Sequence, residues 1–141
     1  MKHLKTEITI NATPEHVWNI LTDFAAYPEW NSFIIGMVGK AEEGQTLVMK
    51  ATLNGKVNTF KPLVLKSEPS KHFEWLGSAP FGIFNGQHYF ILEPTVDGAT
   101  KLIHGEKFSG WLRPVIWSMI GKDTEAGFHT MNQELKKRAE G

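Results

Sequence analysis

The sequence TPEHVWNILTDFAAYPEWNSF, residues 13–33, begins a helix and then prevents it from continuing. Thr13 followed by Pro14 is typical of a helix start, because a threonine side chain can cap the first turn and proline already has a helical φ angle. Pro28 disfavours the helical conformation in the residue before it. The segment therefore predicts two short helices, the second around residues 28–31.

Strands are predicted on both sides of this segment. Residues 4–11 alternate between apolar and polar side chains and end at a turn signal, which is typical of a strand. Asn54-Gly55 predicts a tight hairpin, and Asp97-Gly98 predicts a hairpin with a longer loop. The strands predicted after the short helices lie at 33–40, 45–53, 56–67, 71–77, 82–93 and 99–108.

The end of the chain changes to a helical period, from Arg113 to about Ala139. Its predicted inward stripe consists of Ile116, Ile120, Thr124, Gly127, Met131 and Leu135. Consecutive strands joined by short turns form an antiparallel sheet, so the order of elements predicts an α+β fold. A strongly curved sheet wrapped around one long helix leaves a space between the two.

Length, charge and composition exclude several classes of protein. The 141 residues predict a single domain, residues 1–141, and the 15 basic and 15 acidic side chains balance, so we expect no nucleic acid partner. The absence of cysteine excludes disulfides and thiolate chemistry. We find no signal peptide and no apolar run of about 20 residues, so we expect a cytoplasmic protein without integral membrane association. The sequence leaves a homodimer open and predicts no cofactor.

Three polar side chains are predicted to face inward on the last two strands. His104 and Glu106 alternate with two lysines that belong in solvent, and His88 lies on the inward face of the preceding strand. A loop centred on Asp97 places His88 opposite Glu106 and Phe90 opposite His104. A register shifted by two residues places His88 opposite His104 instead.

Four interpretations of these polar residues are open. They can satisfy one another by hydrogen bonding inside the core. They can orient a guest in a largely apolar cavity. A histidine with a carboxylate partner can also act as a general base. Binding of a metal by His88, His104 and Glu106 is compatible with the residue types, but no spacing signature supports it, and we predict no metal.

Two further groups of residues complete the predicted site. Phe81, Ile83 and Phe84 flank glycines, which suggests a lid over a cavity mouth, and Trp111 and Trp117 at the start of the last helix suggest the same. The residues predicted to line the cavity are Trp30, Phe33, Phe60, Trp75, Phe84, His88, Phe90, His104, Glu106, Phe108, Ile120, Thr124 and Met131.

Residues 13–33, together with GQHYFILEP (residues 86–94) and KLIHGEKFSGWL (residues 101–112), resemble the SRPBCC or START-like superfamily, in particular its polyketide cyclase/dehydrase-like branch. The resemblance covers nearly the whole chain. It implies a helix-grip fold, in which a curved antiparallel sheet of about seven strands surrounds the long C-terminal helix. The two short helices lie between strands 1 and 2 and plug one end of the sheet, where Trp30 or Phe33 can also contact a guest.

The resemblance implies an apolar guest, but it does not choose among the roles known in the superfamily. Our first hypothesis is a protein that binds a hydrophobic small molecule, such as a lipid, a polyketide or an aromatic-ring compound. The alternative is a cyclase or dehydratase that uses His104 or His88 with Glu106 for acid–base chemistry. A third hypothesis is an interaction module, in which Trp111 and Trp117 contact a membrane or a protein partner.

Overall fold

The order of helices and strands in the computed structural model, which describes residues 1–141, agrees with the prediction except for one additional strand. The N-terminal elements are β1 (Lys2–Ile10), α1 (Pro14–Thr22), a 3-10 turn (Phe24–Ala26) and α2 (Tyr27–Trp30). The middle strands are β2 (Ile34–Val38), β3 (Val48–Leu53), β4 (Lys56–Phe60), β5 (Leu63–Glu68) and β6 (His72–Ser78). A second 3-10 turn (Pro80–Gly82), β7 (Asn85–Pro94), β8 (Thr100–Ser109) and α3 (Arg113–Glu140) complete the chain.

The strands form two antiparallel sheets, and the long helix α3 packs against them. One sheet has five strands in the order β1-β8-β7-β6-β5, and the other has three in the order β2-β3-β4. A single bridge between Thr46 and Leu63 links the two sheets, with hydrogen bonds from the amide of Leu47 to Pro62 and from the amide of Val64 to Gln45. The α+β architecture with its C-terminal helix is therefore confirmed. No helix is both long and apolar enough to cross a membrane.

The expected count of seven strands requires a correction to eight. Residues 56–67, predicted as one strand, form β4 and β5 with a break at Lys61-Pro62. Proline has no amide N–H to donate to a sheet, so a strand interior rarely continues through it. The chain changes sheets at this point, because β4 pairs with β3 whereas β5 pairs with β6.

The local signals at turns and helix starts behave as predicted. The Thr13 hydroxyl accepts a hydrogen bond from the amide of His16 at 3.2 Å and caps α1. Asn54 and Gly55 have φ angles of 54° and 73°. Two consecutive positive φ angles are those of a tight type I′ hairpin, the turn that Asn-Gly favours.

The aromatic residues of the N-terminal segment pack against one another and against the sheet. Phe24 and Tyr27 meet edge to face at 5.6 Å, and Tyr27 and Trp30 do so at 5.2 Å. Phe24 also stacks on Phe73 of β6, with ring centres 6.1 Å apart. Edge-to-face and offset contacts are the favoured geometries of aromatic pairs. The segment thereby closes one end of the sheet against α1.

Tyr27 also holds the end of α1 through a hydrogen bond. Its hydroxyl donates to the carbonyl of Leu21 at 2.5 Å, and the side chain is fully buried. We expect Tyr27→Phe to lower the free energy of unfolding by about 1 kcal/mol, because the carbonyl loses its buried partner. Urea denaturation measures this loss. Tyr89→Phe is the matched control and should cost less, since the bond of Tyr89 to His3 is only partly buried. Equal losses in both variants would contradict the interpretation.

The helix α3 buries a mixed face rather than a purely apolar one. Its buried residues are Gly121, Thr124, Phe128, Met131, Asn132, Leu135 and Ala139. Thr124, Met131 and Leu135 belong to the predicted stripe, whereas Phe128 and Asn132 do not. Gly127 lies beside Phe33, and a Cβ atom at position 127 would collide with that ring. The face of α3 that meets the sheet is therefore wider than one stripe.

Candidate functional site

A cavity of about 390 Å³ lies between the two sheets and α3. Of the 19 residues that line it, 11 are hydrophobic. Ala51, Trp75 and Phe108 lie at its buried inner end, whereas Phe60 and Lys61 are exposed at its mouth. The cavity is therefore a mainly apolar pocket with one open end.

Most of the residues predicted to line a cavity do line this one. They are Phe33, Phe60, Trp75, Phe84, His88, Glu106, Phe108, Ile120 and Thr124. Trp30, Phe90, His104 and Met131 lie elsewhere. The last three are fully buried in the core, since the cavity ends before it reaches them. Trp30 packs on Tyr27 instead, and its buried indole N–H has no partner.

Other lining residues were not on the predicted list. Ile34, Met49, Ala51 and Leu53 belong to the three-stranded sheet, and Gly86 belongs to β7. Alternation along residues 47–53 does indicate an inward face, but it does not separate core from cavity wall. The lining glycine makes room for a neighbouring side chain, because a Cβ atom at position 86 would collide with Oε2 of Glu106.

The register of β7 and β8 brings the polar residues together. His88 lies opposite Glu106 and Phe90 opposite His104, as a loop centred on Asp97 predicts. The two histidines are nevertheless in contact, because diagonal neighbours on adjacent strands are within reach of long side chains. Their Nε2 atoms are 2.7 Å apart.

These three residues belong to a longer chain of polar contacts. Oε1 of Glu106 is 3.3 Å from Nδ1 of His88. On the other side, Nδ1 of His104 is 2.7 Å from Oδ1 of Asn132, and Nδ2 of Asn132 donates to the hydroxyl of Thr6 at 2.8 Å. Sequence analysis missed Asn132 and Thr6. The sequence indicates only that these two residues can face inward. Thr6 alternates with exposed residues on β1, and Asn132 follows the inward-facing Met131 on α3.

Aromatic rings enclose the histidines. His104 lies between Phe128, with ring centres 4.0 Å apart and planes at 7°, and Phe90, at 4.3 Å and 23°. His88 contacts Trp75 at 4.5 Å and Phe128 at 4.8 Å. The rings keep water from the histidines, so both must find hydrogen-bond partners within the protein.

Burial keeps this cluster uncharged near neutral pH. Removal from water lowers the pKa of His88 from 6.5 to about 3 and lowers the pKa of His104 well below 6.5. Burial also raises the pKa of the Glu106 carboxyl from 4.5 to about 8. In each case the cause is that a low-dielectric surrounding disfavours the charged form. At pH 7 the cluster therefore consists of two neutral imidazoles and a carboxylic acid.

Only part of the cluster faces the cavity. Glu106, with 15% of its side chain exposed, and His88, with 4%, line the wall. His104 is fully buried behind His88 and does not reach the cavity. A molecule in the cavity would therefore meet Glu106 and His88, and His104 could act on it only through His88.

The geometry of the histidines does not match a metal site. Two nitrogen ligands of a tetrahedral zinc ion lie roughly 3.3 Å apart, given Zn–N bonds of about 2.05 Å. The Nε2 atoms of His88 and His104 are 2.7 Å apart and hydrogen-bonded to each other. No cluster of three or more histidine, cysteine, aspartate or glutamate side chains is arranged to hold a metal ion.

The segment predicted to form a lid lies beside the cavity mouth. Ala79 and Phe84, on either side of it, line the cavity, and Phe84 stacks on Phe108 with ring centres 5.6 Å apart. Phe81 is 95% exposed and has a left-handed φ of 60°. The indole N–H of Trp111 donates to the carbonyl of Phe81 at 3.4 Å and ties the segment to the start of α3.

Comparison with known proteins identifies the family. A sequence model of the family described as "Polyketide cyclase / dehydrase and lipid transport" matches residues 1–140. The chain belongs to this family. The resemblance to the START-like superfamily, which was inferred from residues 13–33, 86–94 and 101–112, is confirmed. None of the curated proteins compared with the chain matches it in sequence.

Solved structures of other proteins share the fold. An aromatase/cyclase from Streptomyces sp. R1128 superposes with a TM-score of 0.77 at 16% identity, over 99% of this chain and 93% of that one. A START superfamily protein from Mycobacterium smegmatis gives 0.76 at 19%, over 98% and 97%. A hypothetical protein from Helicobacter pylori gives 0.81 at 11%, over 98% and 88%. At these identities the likeness concerns the fold alone.

Proposed function

We propose that this chain, as a single domain of residues 1–141, binds a hydrophobic small molecule in the cavity between its sheets and α3. The observation that carries the proposal is the cavity itself, whose volume of about 390 Å³ and mainly apolar lining are those of ligand sites. A lipid, a polyketide or an aromatic-ring compound would suit it. Membership of a family described by polyketide cyclisation and lipid transport supports the same classes of guest.

Burial of apolar surface supplies the affinity. A guest that buries about 200 Å² at about 25 cal/mol per Å² gains about 5 kcal/mol before the entropic costs of association. The side chains of Trp75 and Phe108 are almost fully buried at the inner end, so that end is already formed without a guest. A preformed site lowers the cost of binding.

Filling the cavity tests this proposal. Ala51 is 3% exposed and its side chain lines the wall, so Ala51→Phe places a ring in the space meant for the guest. We expect binding of 2-methylnaphthalene, measured by equilibrium dialysis, to weaken at least tenfold, while the unfolding free energy changes by less than about 1.5 kcal/mol. Val57→Phe is the matched control, because Val57 is 56% exposed on the neighbouring strand β4.

Two outcomes would contradict the proposal. One is unchanged binding in Ala51→Phe, which would place the guest outside the cavity. The other is the absence of any binding in the wild type, for this probe and for fatty acids alike. Native mass spectrometry of the purified protein, with organic extraction of any bound molecule, would then identify the chemical class of a natural guest directly.

A second candidate function is acid–base catalysis on the guest, of the cyclase or dehydratase kind. The observation that favours it is that Glu106 and His88 both line the cavity within 3.3 Å of each other. Glu106 would remove a proton from a carbon of the guest and return it to the hydroxyl that leaves as water, and His88 would hold the carboxyl in place. Incubation of the protein with its extracted guest should then release one water from the guest, and Glu106→Gln should abolish that release while binding persists. A guest recovered unchanged supports binding alone.

A further inference from the structure

The direction of the hydrogen-bond chain is set where it meets the backbone. The hydroxyl of Thr6 donates to the carbonyl oxygen of His104 at 2.7 Å, and a carbonyl can only accept. The proton of the Thr6 hydroxyl is used in this bond, so the hydroxyl oxygen must accept from Nδ2 of Asn132, at 2.8 Å. The amide oxygen of Asn132 therefore faces His104, and Nδ1 of His104 must carry a proton to donate to it.

This direction continues through both imidazoles. A neutral His104 with its proton on Nδ1 has a bare Nε2, so Nε2 of His88 must donate across the 2.7 Å contact. A neutral His88 with its proton on Nε2 in turn has a bare Nδ1, which faces Oε1 of Glu106 at 3.3 Å. Burial lowers the pKa of both histidines, which agrees with neutral rings.

The last member of the chain is the carboxyl of Glu106, and its two oxygens have different roles. The bare Nδ1 of His88 requires the acid proton on Oε1, and transfer of that proton to Nδ1 would leave an ion pair. In both cases Oε2 carries no proton and can only accept. Oε2 lies over Gly86 at the cavity wall, and the contact of this carboxyl with His88 is made by Oε1, so none of the protein's hydrogen bonds ends on Oε2. The hydroxyl of Thr124, which also lines the cavity, donates to the carbonyl of Ile120 instead.

We propose that Oε2 of Glu106 accepts a hydrogen bond from a hydroxyl or N–H group of the guest, so that the cavity selects apolar alcohols, phenols or amines over ketones and ethers. The inference rests on the proposed function, because it requires a guest in the cavity. Thr6, Asn132 and His104 are positioning residues: they do not touch the guest, but they determine that Oε2 is an acceptor.

Three probes of one shape test the selection. 2-Naphthol can donate a hydrogen bond, 2-methoxynaphthalene can only accept one, and 2-methylnaphthalene does neither. At pH 6.5 we expect equilibrium dialysis to show 2-naphthol binding about tenfold tighter than the other two, the effect of one buried hydrogen bond. Equal binding of all three would overturn this inference and leave the proposed function intact. Tighter binding of the ether than of the hydrocarbon would also overturn it, since Oε2 would then be a donor. Failure of all three to bind would overturn the proposed function.

Two variants of Glu106 separate hydrogen bonding from packing. In Glu106→Gln the side-chain NH2 can donate to the bare Nδ1 of His88, which leaves the amide oxygen in the place of Oε2. This variant should keep the preference for 2-naphthol. Glu106→Leu should remove the preference while still binding 2-methylnaphthalene. A preference that persists in Glu106→Leu, or that is lost in Glu106→Gln, would contradict the assignment.

A change at Thr6 tests the positioning role at a distance from the cavity. Thr6→Val removes the hydroxyl that orients Asn132, so the amide of Asn132 can turn over. The hydrogen bonds from Asn132 to Glu106 can then all reverse their direction, which places the acid proton on Oε2. We expect the preference for 2-naphthol over 2-methoxynaphthalene to fall several-fold. A merely structural effect would weaken all three probes together and leave their ratios unchanged, which would overturn the role of Thr6.

Discussion

Phe128→Ala is expected to lower the free energy of unfolding by about 3–5 kcal/mol, the usual cost of removing a fully buried phenylalanine. The ring is 0% exposed and stacks on His104 at 4.0 Å. It also contacts Phe33 at 5.8 Å and His88 at 4.8 Å. Phe128 is thus the largest apolar side chain that α3 buries, on a face that also carries glycine, threonine and asparagine. Few other contacts on the helix can compensate for its loss.

The measurement is urea denaturation of the variant beside two controls. Met119→Ala truncates a side chain that is 68% exposed on the same helix, and it should change stability by less than about 0.5 kcal/mol. Phe128→Leu keeps most of the buried volume and should cost less than the alanine variant. A loss below about 1.5 kcal/mol in Phe128→Ala would show that α3 is held mainly by other contacts.

The importance of Phe128 was not visible in the sequence, for a physical reason. The predicted stripe passes through Gly127, which does face the sheet because it allows Phe33 to approach the helix. One residue further on, Phe128 points about 100° around the helix, and only a sheet that curves around α3 can bury both positions. Periodicity along the chain describes one line of contact, whereas the width of the buried face depends on the curvature of the partner.

Local structure was predictable from the sequence where the pattern that determines it spans only a few residues. The cap at Thr13, the Asn54-Gly55 turn and the register that pairs His88 with Glu106 all follow from short patterns. The break at Pro62 was equally local, but the alternation on either side of it favoured one continuous strand. A missing amide proton outweighs a good alternation, because proline has no N–H to donate to a neighbouring strand, and the chain changes from one sheet to the other at this residue.

Only some of the polar residues of the candidate site were predictable from the sequence. Inward-facing His88, His104 and Glu106 stand out because polar side chains on an apolar face need partners. Their partner Asn132 is 28 residues from His104, and Thr6 is 126 residues from Asn132. No local pattern connects residues so far apart. The division between core and cavity is also non-local, since it depends on how the side chains of different elements fill one space.

The stability of the protein is expected to fall by about 2 kcal/mol between pH 6.5 and 8.5 because of Glu106. Burial raises the pKa of this carboxyl from 4.5 to about 8, so between these values the native state holds a proton that the unfolded state releases. Stability therefore decreases as pH rises through this range. Burial lowers the pKa of His88 from 6.5 to about 3, so stability increases with pH until the unfolded imidazole has lost its proton. Above pH 6.5 this gain is only about 0.4 kcal/mol, because half of the unfolded imidazoles are already neutral there.

The surroundings of Glu106 leave its own titration as the source of the change. His88 on β7 and His104 on the same strand are the ionisable groups beside it, and both are neutral above pH 6.5. Its neighbour on β1 is Leu4, α3 presents Thr124 to the cavity, and Lys61 lies at the distant, exposed mouth. No charged group lies close enough to the carboxyl to account for the change in stability. The free-energy cost of ionising Glu106 therefore comes from its burial.

Glu106→Gln isolates this cost, because it keeps the shape of the side chain but cannot ionise. Urea denaturation at pH 6.5 and 8.5 should show that the wild type loses about 2 kcal/mol more than the variant over this range. Glu93→Gln, which removes an exposed carboxylate on β7, should follow the wild type. If Glu106→Gln loses as much as the wild type, the carboxyl is already ionised at pH 6.5. The acid proton that directs Oε1 toward His88 would then be absent, and the cavity would present a full negative charge to its guest rather than a neutral acceptor.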